Sequence, residues 1–417
     1  MTYLPRTVDS VLSELLGGMG AVVIEGPRAC GKTSTALQIA RSSVRLDRSP
    51  ELVALAELSP AEILRGETPR LVDEWQLAPV LWNSIRHEID NRQERGQFIL
   101  SGSAAPQDDV TRHSGAGRIG RLRMRPMSLF ESGASTGEVS LASLRRGESV
   151  GGLSKLTYRD LAEQGVHGGW PGLLDATTRQ AVLFNRSYCE DLCSTEISAA
   201  TGVRHDAVRL RRLLESVARN LSSEATLQSL ATDVSGQGNP VDPKTVATYM
   251  AALEQVFALD VLPAWSISLR SRSRLRTASK LHLADPSVAC AALGIGVDRL
   301  ARDPEFFGQV FESMVIRDLR ALVAAEFGRI YHYRDNTGLE IDAIVEYPDE
   351  AMWGACEVKL GSSKIPDAER NLLKLRDERV DVSKIGDPAY LVIITGTEYA
   401  YTLPSGVHVV PLGVLGV

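Results

Sequence analysis

The chain has 417 residues, 44% of them hydrophobic and 24% charged, with a net charge of −6. That is too long for one hydrophobic core and implies roughly two to four domains of ordinary globular composition. No charged-then-apolar leader opens the chain and no apolar run approaches bilayer length, so a cytoplasmic protein with no membrane partner is expected; the net negative charge speaks against indiscriminate nucleic-acid binding but leaves room for a local basic patch.

A helix is predicted over Val8 to Leu16, then a buried strand over Ala21-Val22-Val23-Ile24. The next stretch, Gly26-Pro27-Arg28-Ala29-Cys30-Gly31-Lys32-Thr33, fits the phosphate-loop pattern G-x-x-x-x-G-K-[ST] without mismatch, and a helix over Thr35 to Arg41 follows. Strand, loop and helix in that order place backbone N–H groups and a helix N-terminus around a phosphate. Gly26 to Ser34 is therefore the expected ATP-binding segment; Lys32 would reach the β- and γ-phosphates, and the Thr33 hydroxyl would hold Mg²⁺.

Val44 to Asp47 reads as a second strand. Arg70-Leu71-Val72-Asp73-Glu74 reads as an apolar strand ending in two acids. Asp73 is expected at the Mg²⁺, and Glu74 as the base that polarises the attacking water. Gln97 to Ser103 is another buried strand ending in hydroxyls, where Ser101, with Ser103 second, would sense the γ-phosphate or orient water. Arg121, Arg123 and Arg125 alternate with apolar residues, which in a strand puts three guanidiniums on one face. Arg118 is the expected arginine finger for a neighbouring subunit's ATP, with Arg121 its alternative.

The phosphate loop, the Leu-Val-Asp-Glu strand, the Leu-Ser-Gly-Ser strand, Arg125 to Glu131 (Arg-Pro-Met-Ser-Leu-Phe-Glu) and Gly168-Gly169-Trp170-Pro171-Gly172 follow one another in a distinctive order. Together they resemble the prokaryotic AAA-type ATPases that carry a DUF4143 domain, over nearly the whole chain. The resemblance implies an α/β P-loop AAA-type core with a parallel sheet, a winged-helix middle and an α/β C-terminal domain similar to the PD-(D/E)xK nucleases. It also implies a homo-oligomer, as AAA-like proteins are often hexamers. One departure is Trp75, which stands between the Asp-Glu pair and Gln76. The expected domains are residues 1–150 (ATPase core), 151–205 (helical linker or lid), 206–285 (winged helix) and 286–417 (DUF4143, nuclease-like).

Gly133 to Lys155 reads as a loop, and Thr178 to Glu196 as a long helix. Cys189 and Cys193 lie four apart on it without further ligands, so packing is their reading; five scattered cysteines exclude a disulfide framework. In the middle region Asp242 and Pro243 mark a helix start, and that helix carries Lys244, Thr245 and Thr248 outward. A ribbon follows with arginine at every second position: Arg270, Arg272, Arg274 and Arg276. Like charges so close imply an anion, and a wing gripping a DNA backbone is the expectation, with Lys244 beside it.

In the C-terminal region a helix over Phe306 to Leu322 carries Glu312, and strands are predicted over Arg329 to Arg334, Glu340 to Glu346 and Gly354 to Lys359. Glu357 and Lys359 share a strand face. Asp342 and Glu357 are candidate metal ligands, with Lys359 to activate water and Glu312 to complete the set. The combined expectation is a Mg²⁺-dependent ATPase that binds DNA and assembles on or remodels it. Two rivals are a nucleotide-dependent switch or scaffold for protein partners, and an ATP-gated metal-dependent nuclease.

Overall fold

The computed structural model describes residues 2–103, 115–236, 240–266 and 278–417. Two compact units divide the chain: one from residues 1–126, 196–204 and 251–258, the other from residues 127–195, 205–250 and 259–417.

The first unit centres on a five-stranded, all-parallel sheet in the order Ser42–Arg45, Arg70–Asp73, Phe98–Gly102, Ala21–Glu25, Ile119–Arg123. Strand periodicity explains why both faces are covered. Ala21, Val23, Val72, Phe98 and Leu100 face one apolar layer with Trp75, Trp82 and Ile85. Val22, Ile24, Leu71, Ile99 and Leu122 face the other, with Val11, Leu12 and Leu16 of the helix Val8–Gly18. Ala21–Glu25, first in sequence, runs between Phe98–Gly102 and Ile119–Arg123, fourth and fifth in sequence, so the strand order reverses there, and ligands of such sheets bind outside the carboxyl ends at that point. The expected helix over Thr35 to Arg41 is regular only over Lys32–Ala36 and continues as turns.

The second unit holds a mixed seven-stranded sheet: Gly152–Leu153, Tyr399–Thr402, His408–Pro411, Tyr390–Thr395, Met352–Lys359, Glu340–Tyr347, Arg329–Arg334. The helix Ile365–Lys374 seals one face with Ile365, Ala368 and Leu372. The helix Pro304–Ala324 is buried on most of its circumference, as a helix inside a core must be. Residues 127–150, read from sequence as the tail of the first domain, fold here instead. The reason is hydrogen bonding: Thr136 N–H reaches Gly413 O at 2.9 Å, and Val139–Ser140 pairs in parallel with Leu415–Gly416. Part of the expected loop Gly133 to Lys155 is therefore short strand and helix.

The two family-like motifs meet in this unit. Met127 N–H donates to Gly169 O at 2.6 Å, and Gly169 N–H to Asp285 Oδ2 at 3.0 Å. A Cβ on Gly169 would collide with the Met127 backbone, and Gly168 has φ +84°, so both positions require glycine. Buried Arg317 pairs with Asp285 at 2.9 Å and Asp318 at 2.8 Å, and Asp318 accepts Leu129 N–H at 2.9 Å. The Arg-Pro-Met-Ser-Leu-Phe-Glu and Gly-Gly-Trp-Pro-Gly segments are thus halves of one buried polar node.

In the region read as a winged helix, helices run over Ala207–Arg219, Leu227–Ser235 and Pro243–Gln255. Isolated antiparallel pairings follow, Leu259 with Leu283 and Leu262 with Lys280. Asp242 accepts Lys244 N–H at 2.7 Å, the expected cap. Arg270, Arg272, Arg274 and Arg276 lie outside the described residues.

Candidate nucleotide site

The phosphate loop leaves the buried strand Ala21–Glu25 at the sheet's carboxyl edge. A Cβ on Gly26 would run into the Met124 carbonyl, and Gly31 has φ +100°, immediately before the helix that begins at Lys32. Ala29 is left-handed as well, at φ +64°. Such a run of left-handed residues turns consecutive N–H groups inward. Lys32 is buried, and its Nζ lies 2.9 Å from Gly26 O and 2.8 Å from Pro27 O. These two backbone carbonyls hold its ammonium within the loop, and its charge also acts on the Glu74 carboxyl.

Asp73 and Ser101 are register partners on neighbouring strands, and the Ser101 hydroxyl donates to Asp73 Oδ1. Thr33 Oγ1 stands 3.0 Å from each Asp73 oxygen, and Arg45 Nε forms a long ion pair with Asp73 Oδ2 at 3.8 Å. A hydroxyl and a carboxylate side by side form the oxygen set that Mg²⁺ prefers, so Thr33 and Asp73 fit that ion. Glu74 follows with φ +54°, a left-handed backbone that costs a non-glycine residue about 1–2 kcal/mol. Burial, more than its neighbours, pushes the Glu74 carboxyl above its usual range, while the Gln76 amide that donates to it works the other way. The departure at Trp75 has a structural use: Trp75 is buried against Trp82, ring centroids 5.1 Å apart, which leaves Gln76 to hold Glu74.

Sequence reasoning missed Arg6 and Tyr3. Buried Arg6 donates from Nη1 to Cys30 O at 2.9 Å and from Nη2 to Arg125 O at 2.8 Å, bracing the loop from beneath. Tyr3 reaches Thr35 Oγ1 at 2.9 Å and Asp9 at 2.6 Å. No motif marks either residue, because their partners are backbone atoms and side chains distant in sequence. Arg28 in the loop pairs with Glu196 at 2.7 Å.

The other expected residues are dispersed. Arg118 lies at the opposite, amino edge of the sheet, where Ala21 N–H donates to its carbonyl at 3.1 Å and its guanidinium pairs with Asp90 at 2.6 Å. Arg121 pairs with Glu25, and Arg123 stacks on Phe257 at 4.5 Å, so the expected row of three guanidiniums is partnered; Arg125 falls beyond the strand's end. Lys244 is exposed. Asp342, Glu357, Lys359 and Glu312 do converge in the second unit, joined by an unexpected Lys280. Lys280 Nζ lies 2.8 Å from Glu312 and 3.2 Å from Asp342; Lys359 Nζ lies 3.2 Å from Asp342 and 2.5 Å from Glu357. Burial would raise Asp342, but the two ammonium groups outweigh it and hold Asp342 well below the carboxylate range; burial and the Asp342 charge together raise Glu312 and Glu357. All five cysteines are free, and burial pushes Cys193 up to about 11.

Residues 19–132 match the family model of an AAA domain, residues 158–299 that of a domain of unknown function, DUF8612, and residues 307–415 that of another, DUF4143. The chain thus carries an AAA-type P-loop domain followed by a DUF4143 domain, the pairing its motifs resemble. Among solved structures it is similar to a Walker-type ATPase of Pyrococcus abyssi, at 14% identity and TM-score 0.44, covering 70% of this chain and 96% of that one. It is also similar to the Aeropyrum pernix Orc1 protein in complex with DNA, at 12% identity and TM-score 0.28, covering 72% and 94%. A DNA replication initiation factor follows at 14% identity and TM-score 0.25, covering 58% and 86%. No curated protein matches in sequence. Among the described residues no helix is long and apolar enough to cross a membrane.

Proposed function

We propose that this chain hydrolyses ATP with Mg²⁺ and uses ATP binding or hydrolysis to assemble on or remodel DNA. The observation that carries the hydrolytic half is the Asp73 carboxylate, held between Thr33 and Ser101 with half-buried Glu74 next to it. Bound Mg²⁺ would supply positive charge against the triphosphate. Lys32 would add a second positive charge from the loop, and backbone N–H groups would fix the phosphates. Glu74, its affinity for a proton raised by burial, would accept one from the attacking water. Ser101, whose hydroxyl donates to Asp73, would hold that carboxylate in place and orient the water.

ATP turnover of the wild type against Glu74→Gln tests this half: equal rates would refute hydrolysis at this site. The DNA half is supported by the spacing of Arg270, Arg272, Arg274 and Arg276 and by exposed Lys244. Its test is duplex and single-strand binding across a salt series. No salt-sensitive binding, together with no change when the four arginines become alanine, would remove DNA as the partner; salt-sensitive binding that survives the four alanines would move the contact away from these arginines. Arg118 as a finger in trans is supported by its distance from its own loop along the sheet. Mixing Lys32→Ala with Arg118→Ala protein should then restore turnover that neither has alone; no recovery would exclude that role and the homo-oligomer, hexameric or otherwise, built on it.

A further inference from the structure

The second unit brings Asp342, Glu357 and Glu312 together, but both oxygens of Asp342 and of Glu357, and Oε1 of Glu312, already accept hydrogen bonds. Asp342 Oδ1 accepts from Lys280 Nζ at 3.2 Å. Asp342 Oδ2 accepts from Val358 N–H at 2.8 Å and from Lys359 Nζ at 3.2 Å. Glu357 takes Lys359 on Oε2 at 2.5 Å and the Asn371 amide on Oε1 at 3.1 Å. Glu312 Oε1 takes Lys280 at 2.8 Å.

Lys280 is the residue that decides the reading. Its backbone is pinned by paired hydrogen bonds with Leu262, at 2.9 and 3.0 Å, and its side chain is 7% exposed. The ammonium therefore enters this cluster from a fixed backbone position and is not a surface lysine that happened to fold inward. Mg²⁺ demands near-octahedral oxygen ligands and keeps several waters. Here the carboxylates meet N–H donors on each side, and among the described residues no group of three or more His, Cys, Asp or Glu is arranged to hold a metal. Removing an ammonium from two buried carboxylates would leave their charges uncompensated, so the lysine is also hard to displace.

We propose that the Lys280 ammonium, between Asp342 and Glu312, with Lys359 between Asp342 and Glu357, takes the room a divalent ion would need among these carboxylates, so that this unit folds around an internal cation and does not cleave nucleic acid by metal-assisted hydrolysis. This stands independently of the ATPase reading, because none of its residues belongs to the nucleotide site.

Mn²⁺ uptake by the full-length, nucleotide-free protein, followed by the loss of the free-Mn²⁺ paramagnetic resonance signal, tests it. Uptake at Asp73 is common to every sample and cancels. Wild type, Asp342→Asn and Glu357→Gln should take up equal amounts. Lys280→Met should gain one further equivalent, which the added change Asp342→Asn abolishes. Wild-type uptake that falls in Asp342→Asn or Glu357→Gln would overturn the proposal, and so would a folded Lys280→Met that gains none. Should Lys280→Met fail to fold, the comparison of wild type with the two carboxylate variants decides alone.

Discussion

The two carboxylate sites use the same residue types to opposite effect. In the first unit Asp73 ends a parallel strand with only hydroxyls in hydrogen-bond contact, while Lys32 is kept on backbone carbonyls. In the second unit Asp342 is met by two ammonium groups and a backbone N–H. Asp73 has hydroxyls at hydrogen-bond distance and one long ion pair, to half-exposed Arg45 at 3.8 Å, which leaves room for an incoming cation; Asp342, met by two lysines, has given that room to the fold. A motif of acids and a lysine therefore says little until the hydrogen-bond partner of each oxygen is known.

The largest expected effect tests the first site. Glu74→Gln should lower kcat roughly 10²–10⁴-fold with ATP affinity retained, read by turnover beside equilibrium binding of a fluorescent nucleotide. A variant that loses binding and turnover together would make Glu74 a ligand-holding group. The second site should answer in stability: Lys280→Met should cost about 3–5 kcal/mol, the usual penalty for breaking a buried pair, measured by urea unfolding with no loss of ATP binding.

Acid should separate the two units next. Burial, reinforced by Lys280, lowers His332 to about 4, and burial with Arg320 and Lys280 lowers His282, with Asp342 and Asp260 opposing. A depressed histidine contributes stability that is present above about 6.5 and is lost as pH falls through 4. For His332 that is about 2 kcal/mol by pH 5, so the second unit should loosen first, seen as hydrogen exchange in Arg329–Arg334 ahead of Ala21–Glu25. His332→Gln should remove most of that pH dependence. The smallest effect falls on Arg6→Ala, which removes one charge-assisted bond to the loop at Cys30 and one to Arg125 and should weaken ATP binding roughly tenfold, about 1.5 kcal/mol, with kcat less affected.

What the sequence made legible is local. Gly26 to Thr33 is contiguous, and Asp73-Glu74 ends an apolar run, so spacing alone announces both. The alternation of Glu357 and Lys359 is likewise a property of one strand. Lys280 could not be found this way: 62 residues separate it from Asp342, and beside the arginine ribbon it looks like one more surface cation. Arg6 escaped because it binds carbonyls, which have no residue identity to recognise. Nor does the sequence show that residues 127–150 pack with the second unit, since Thr136 and Val139 are held by backbone partners near the chain's last strand.

The first unit's discontinuity has a consequence in time. Residues 251–258 belong to it along with residues 1–126, and Phe257 supplies the ring on which Arg123 rests. During synthesis at about 5–20 residues per second, the parallel sheet waits on the order of ten seconds for its last segment. Until then its arginine-bearing edge strand, Ile119–Arg123, lacks the Phe257 ring that covers Arg123.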